Sequence, residues 1–154
     1  MEKLQQLFSS KGREVHLEIT ADGFSNMLKD AIPDHKGIIF GFLGAKGARP
    51  DITGFVAEKY SKDFVVAEVK NERMKLDDVY QLRKYADLFD AKFAFLVSAE
   101  EIPSEIKKLS KVASFLLWRP SPFPQLTLVL YDSASRGFTQ WFEKNPFEAE
   151  VYWR

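Results

Sequence analysis

The sequence contains no cysteine and only two histidines, His16 and His35. The absence of cysteine excludes disulfide bonds, thiolate metal sites and cysteine nucleophiles. A histidine-based zinc site or a Ser/His/Asp triad would need one of the two histidines, and neither lies in a motif of that kind. Both histidines are therefore interpreted as ordinary surface or loop residues.

The chain also lacks an excess of charge of either sign and a long apolar run at its N-terminus. Its 22 Lys and Arg residues balance its 22 Asp and Glu residues. Proteins that coat DNA non-specifically are usually basic, so we expect any contact with nucleic acid to be local. Without an apolar run we expect no signal peptide and no membrane span, and cytoplasm is the default location.

A length of 154 residues with 45% hydrophobic residues suits one globular domain. We therefore predict a single domain over 1–154, with a core at about 22–98 and an aromatic-rich extension at 119–154. Phe138, Trp141 and Phe142 have i, i+3 and i+4 spacing, which predicts a short helix packed on the domain. A homodimer interface and a base-stacking platform are the alternatives for this extension.

Hydrophobic periodicity predicts an alternation of helices and strands along the chain. We expect helices at 2–10, 22–33, 76–90 and 102–113, and strands at 15–19, 37–44, 51–56, 63–70, 92–98, 114–118 and 126–132. This alternation predicts an α/β fold, a mixed central sheet with helices on both faces.

The two strands at 51–56 and 63–70 are predicted to form a hairpin across the polar connector between them. A turn centred near Lys59 and Tyr60 would set Asp51 opposite Glu68. Because strand side chains alternate between faces, Glu68 and Lys70 would share a charged face. Val65, Ala67 and Val69 would form the core on the other face.

Two carboxylates held side by side repel each other unless a divalent cation lies between them. Mg²⁺ favours such a site, because it binds one or two carboxylates, waters and phosphate oxygens. A lysine on the same face can offset the charge of a phosphate or help to orient and deprotonate a water. The residues Asp51, Glu68 and Lys70 therefore suit phosphodiester hydrolysis.

The ordered set Pro50-Asp51, Glu68-Val69-Lys70 and a helix with Gln81-Leu82-Arg83-Lys84-Tyr85 resembles the PD-(D/E)XK nuclease superfamily. The helix is similar to the Q-x-x-x-Y motif of several of its branches, and the resemblance covers about 37–98. It implies a restriction-endonuclease-like αβββαβ core. It also implies Mg²⁺-dependent cleavage of DNA phosphodiester bonds, with Mn²⁺ as a substitute, in repair, recombination or defence.

The resemblance also implies a role for each residue of the set. Asp51, Glu68 and the backbone carbonyl of Val69 would hold one or two metal ions. Lys70 would orient or activate the attacking water and stabilise charge on the phosphate. Gln81 and Tyr85 would support Lys70. Phosphate contacts would come from other cations near the site: Arg49, Arg73 and Lys75.

Two questions stay open at the level of sequence. Many members of the superfamily add an acidic residue from an upstream helix, and the candidates are Glu2, Glu14, Glu18, Asp22 and Asp30. The alternative function is a catalytically inactive nuclease-like fold that binds nucleic acid or another protein. DNA is the expected nucleic acid in either case, and RNA is the alternative.

Overall fold

A six-stranded sheet and four helices make up the part of the chain that the computed structural model describes, which is residues 1–32, 49–119, 126–150 and 153. The helices are α1 (Glu2–Ser10), α2 (Asn26–Ala31), α3 (Leu76–Phe89) and α4 (Ser104–Val112). The strands are β1 (Val15–Ile19), β2 (Ile52–Ala57), β3 (Lys62–Lys70), β4 (Phe93–Ser98), β5 (Thr127–Asp132) and β6 (Gly137–Trp141). The predicted strand at 37–44 lies outside the described residues.

The strands lie in the sheet in their chain order, from β1 to β6. The pairs β1–β2, β2–β3 and β5–β6 are antiparallel, whereas β3–β4 and β4–β5 are parallel. Each parallel connection contains a helix, α3 or α4, because two parallel strands need a crossover. The predicted α/β class and the mixed sheet flanked by helices are confirmed.

Helices cover both faces of the sheet, so the core has two layers. On one face, α2, α3 and α4 pack on residues such as Phe64, Val66 and Leu96. On the other face, α1 packs on residues of opposite parity, among them Val65 and Phe95. Each layer buries large apolar side chains, which is the main force that holds such a fold together.

The predicted division of β3 into a charged face and a core face is wrong. Phe64 and Val66 lie on the same face as Glu68 and are buried, and Val69 on the other face is 41% exposed. The reason is that α3 covers the face that carries Glu68, since parallel strands are buried on both sides. Glu68 thus lies at the end of an apolar face.

Three local predictions differ from the structure. Helix α2 spans only Asn26–Ala31, because the Ser25 hydroxyl oxygen caps its first turn by accepting from the Leu28 N–H. Residues 114–118 form no strand, and a short 3₁₀ helix occupies Ser114–Leu116. The aromatic segment at 138–142 is largely strand β6 and not a helix.

Strand β6 forms because the preceding turn reverses the chain beside β5. The Asp132 carboxylate accepts hydrogen bonds from the N–H groups of Ala134 and Ser135, and Arg136 has a left-handed φ of 52°. Pairing with β6 then satisfies the open edge of β5. Aromatic side chains of the extension pack beside α1. A homodimer through this extension stays a prediction.

Among the described residues, no helix is both long enough and apolar enough to cross a bilayer.

Candidate functional site

Asp51 and Glu68 lie beside each other where β2 begins and β3 nears its end. The pairing of Ile52 with Ala67, continued by one residue, sets Asp51 opposite Glu68 as the hairpin predicts. The Asp51 carboxylate accepts a hydrogen bond of 2.7 Å from the N–H of Val69. This bond holds the Asp51 carboxylate against the backbone that directly follows Glu68.

The Glu68 side chain is buried beneath α3, with only 2% of the residue exposed. Its Oε1 atom has no hydrogen-bond partner among the described residues. The pKa of Glu68 is raised to about 7, first by burial and then by the nearby negative charge of Asp51, against the opposing effect of Lys70. A buried carboxylate with an unpartnered oxygen is costly, so this position favours a proton or a bound cation.

Lys70 places its ammonium group between two carboxylates. Its Nζ atom is 3.5 Å from Glu68 Oε2 and 3.3 Å from Asp78 Oδ1. Burial acts to lower the pKa of Lys70, but Asp78, Glu68 and Asp51 outweigh it, and the pKa rises above its usual value. Lys70 is therefore a permanent cation at neutral pH, which suits holding negative charge rather than accepting a proton.

Gln81 and Tyr85 extend the site from α3. Gln81 Nε2 lies 3.2 Å from the Tyr85 hydroxyl, one helical turn away. Burial raises the pKa of Tyr85; Gln81 and Lys70 act against this, while Glu68 and Asp51 raise it further. The hydroxyl thus lies within the electrostatic reach of both carboxylates, and it stays protonated at neutral pH.

Thr20 holds the segment that carries Asp51 in place. Its hydroxyl donates to the carbonyl oxygen of Pro50 at 2.6 Å and lies 2.8 Å from the hydroxyl of Thr53. The N–H of Thr20 also donates to the carbonyl oxygen of Asp51 at 2.9 Å. Both threonines are fully buried, so these bonds form without competition from water.

Comparison with known proteins gives no match. No protein-family model, no curated protein and no solved structure corresponds to this chain. The function is therefore inferred from the residues of the site itself.

The three cations predicted to contact phosphate form contacts of their own. Arg49 donates from Nε to the carbonyl oxygen of Ala21 at 3.1 Å. The Arg73 guanidinium pairs with Glu105 at 2.8 Å, and Lys75 Nζ is 3.4 Å from Glu72. The last two pairs are solvent-exposed and hence weak, so they leave the predicted role open.

No upstream acid joins Asp51 and Glu68 within the described residues, which contain no group of three or more His, Cys, Asp or Glu side chains able to hold a metal ion. Glu18 is engaged elsewhere, because its Oε1 accepts from the Ser25 hydroxyl at 2.9 Å. Ser25 in turn caps α2. Glu18 thus helps to fix the start of that helix.

Two functional contributions were missed by sequence reasoning. Asp78, an acid in the first turn of α3, was given no role in the site, yet its carboxylate holds Lys70. Its position in the first turn of the helix that follows Lys70 is a signal that could have suggested this contact. No pattern in the sequence points to the role of Thr20, because its contacts depend on the pairing of β1 with β2.

Proposed function

We propose that the protein is a Mg²⁺-dependent nuclease that hydrolyses DNA phosphodiester bonds. The observation that carries the proposal is Glu68, a buried carboxylate with an unpartnered oxygen directly opposite a second carboxylate, Asp51. A divalent cation would offset the repulsion between the two carboxylates and would bind the unpartnered oxygen of Glu68. Repair, recombination and defence are the processes in which such an enzyme would act.

We also assign the restriction-endonuclease-like fold. In support, the described elements α1, β1, β2, β3, α3 and β4 follow the order αβββαβ, with α2 added between the first two strands. In this arrangement the two carboxylates come from the second and third strands, and the supporting Gln81 and Tyr85 come from the crossover helix.

The donor set fits Mg²⁺. Asp51 and Glu68 supply two carboxylates, the carbonyl of Val69 is the third proposed protein ligand, and waters and phosphate oxygens would complete the shell. When bound, the ion supplies Lewis-acid polarisation of a phosphoryl oxygen and activation of the attacking water. Mn²⁺ has the same ligand preference and is a suitable substitute.

The protein's own side chains have distinct tasks in this proposal. Lys70, held by Glu68 and Asp78, stabilises negative charge that develops on the phosphate. Tyr85, oriented by Gln81, offers a protonated hydroxyl to the same region. Thr20 holds the segment that keeps Asp51 opposite Glu68. This position matters because a small displacement of a catalytic group lowers the reaction rate strongly.

Cleavage assays test the proposal directly. Labelled single-stranded, duplex and branched DNA would be incubated with the protein in Mg²⁺ or Mn²⁺. We expect cleavage of at least one form, with a loss of about 100-fold or more for Asp51→Asn and for Lys70→Met. The matched control is Asp77→Asn, an exposed acid on the first turn of α3 that should leave the rate unchanged.

The proposal fails if the wild type cleaves none of the three DNA forms in either metal. It also fails if Asp51→Asn cleaves as fast as the wild type.

A second candidate function is a nuclease-like module that binds nucleic acid or a protein without catalysis. The absence of a third acid beside Asp51 and Glu68 in the described ranges favours it. Calorimetric titration with Mn²⁺ separates the two candidates. Binding that Glu68→Gln abolishes supports the enzyme, whereas DNA binding without any metal dependence supports the module.

The pH dependence of this titration gives a further test. Glu68 must release its proton to bind a metal ion, and its pKa is about 7. Mn²⁺ affinity should therefore rise by about tenfold between roughly pH 6 and pH 8. Equal affinity at both values would show that Glu68 is not a ligand.

A further inference from the structure

A groove of about 760 Å³ lies on the α1 side of the sheet, immediately beside the candidate site. One wall comes from the first residues of α1, and the opposite wall comes from the turn between β5 and β6. Val69 and Lys70, at the end of β3, border the groove and also belong to the candidate site. The groove therefore meets the candidate site only at the end of β3, since the Glu68 carboxylate lies on the α3 face of the sheet.

The charges along this groove are mainly positive. Three of its lining residues are cations, Lys3, Lys70 and Arg136, and Glu2 is the carboxylate among the described lining residues. Lys70 is engaged by Glu68 and Asp78. Lys3 and Arg136 form no ion pair within the described residues, so both can receive an anionic ligand.

Arg136 is held over the groove by an unusual backbone conformation. Its φ of 52° is in the left-handed region, which L residues other than glycine, asparagine and aspartate seldom adopt. The hydrogen bonds from Ala134 and Ser135 to the Asp132 carboxylate fix the turn that imposes it. The turn thus fixes the backbone from which the Arg136 side chain extends into the groove lining.

The groove also has aromatic surface next to these cations. Tyr131 and Phe138 both line it, are partly exposed and pack edge to face with ring centroids 5.6 Å apart. Phe138 in turn packs on Trp141, which keeps its ring in a fixed position. Aromatic side chains near cations are the usual components of a surface that binds single-stranded nucleic acid.

We propose that this groove binds a single-stranded segment of DNA that continues from the candidate site. Lys3 and Arg136 contact its phosphates, and a base lies against Tyr131 or Phe138. The volume of the groove is that of a pocket for one small ligand, so the groove contacts only a short part of the strand. The identity of the ligand as DNA rests on the proposed function.

The test is fluorescence anisotropy with a labelled thymidine oligonucleotide of about 12 nucleotides, in EDTA so that no cleavage occurs. The variant is Lys3→Gln/Arg136→Gln. The matched control is Lys108→Gln/Lys111→Gln, which removes the same charge from exposed positions of α4 on the opposite face of the sheet. Circular dichroism would show that both variants fold.

A plot of log binding constant against log salt concentration has a negative slope. We expect this slope to be smaller in magnitude by about 1.4 in the groove variant, since each lost phosphate contact contributes about 0.7. At about 0.1 M salt this corresponds to an affinity about 25-fold weaker. The control should bind like the wild type. Arg136→Lys alone should retain most of the affinity, because lysine keeps the charge.

Three results would overturn the inference. These are no binding of the single strand by the wild type, an equal loss in the control variant, and tighter binding of a blunt duplex of the same length. Because the assay contains no divalent metal, it is independent of cleavage. Binding without cleavage would support the groove and contradict the proposed nuclease. Cleavage by the wild type, together with unchanged binding by the groove variant, would support the nuclease and contradict the groove.

Discussion

The substitution Glu68→Gln removes a carboxylate whose charged form the fold disfavours. The pKa of Glu68 rises from its ordinary 4.5 to about 7, mainly because of burial and partly because of Asp51. A folded-state pKa above the unfolded one means that the folded state binds the proton more tightly. The resulting stabilisation is therefore present below about pH 4.5 and is lost as the pH rises through about 7. Because a tenfold change in an equilibrium constant corresponds to about 1.4 kcal/mol, the loss approaches about 3 kcal/mol.

Urea unfolding at about pH 5 and about pH 8, in buffer without divalent metal, measures this loss. Between these values the free energy of unfolding of the wild type should fall by about 2 to 3 kcal/mol more than that of Glu68→Gln. Glu101→Gln, at an exposed position, is the control and should follow the wild type within about 0.5 kcal/mol. If the wild type and Glu68→Gln show the same pH dependence, Glu68 does not titrate as its burial requires.

Three further substitutions test the supports of the fold and of the site. Arg119 is buried and donates to Asp87 and to two backbone carbonyls at 2.8 Å each, so Arg119→Met should lower the free energy of unfolding in urea by about 3 kcal/mol or more. In Gly54→Ala the new Cβ would clash with the backbone of β1. The variant should therefore lose more than about 2 kcal/mol of stability, which a lower thermal midpoint would show. Thr20→Val keeps the shape but loses the bond to the segment of Asp51; it should cost about 1 to 3 kcal/mol and weaken Mn²⁺ binding in calorimetry.

The hairpin and its register could be predicted from the sequence. Two runs of β-branched and aromatic residues flank a polar connector of known length, so the position of the turn determines which residues face each other. The pairing of Ile52 with Ala67 follows the predicted centre near Lys59 and Tyr60. The buried face of α3 was also predictable, because Val79, Leu82, Ala86 and Phe89 repeat with helical spacing.

The environment of the site could not be predicted in the same way, since it depends on contacts between distant segments. The sequence places Glu68 on a strand, but its burial depends on how α3 crosses β3. Likewise, the aromatic residues at 138–142 fit a helical spacing. They form a strand because β5 offers an open edge, which is a property of the assembled sheet.

The aromatic cluster beneath α1 also constrains how the protein folds. Phe8 packs on Phe147 at 5.0 Å and on Trp153 at 6.0 Å between ring centroids, and Arg13 donates to the carbonyl oxygen of Trp153 at 2.9 Å. Closing a loop of about 140 residues costs about 2 kcal/mol more than closing one of about 15. We therefore expect this contact to form late and folding to be slow. During synthesis, the apolar α1 side of the sheet would stay exposed until residues 147–153 have left the ribosome.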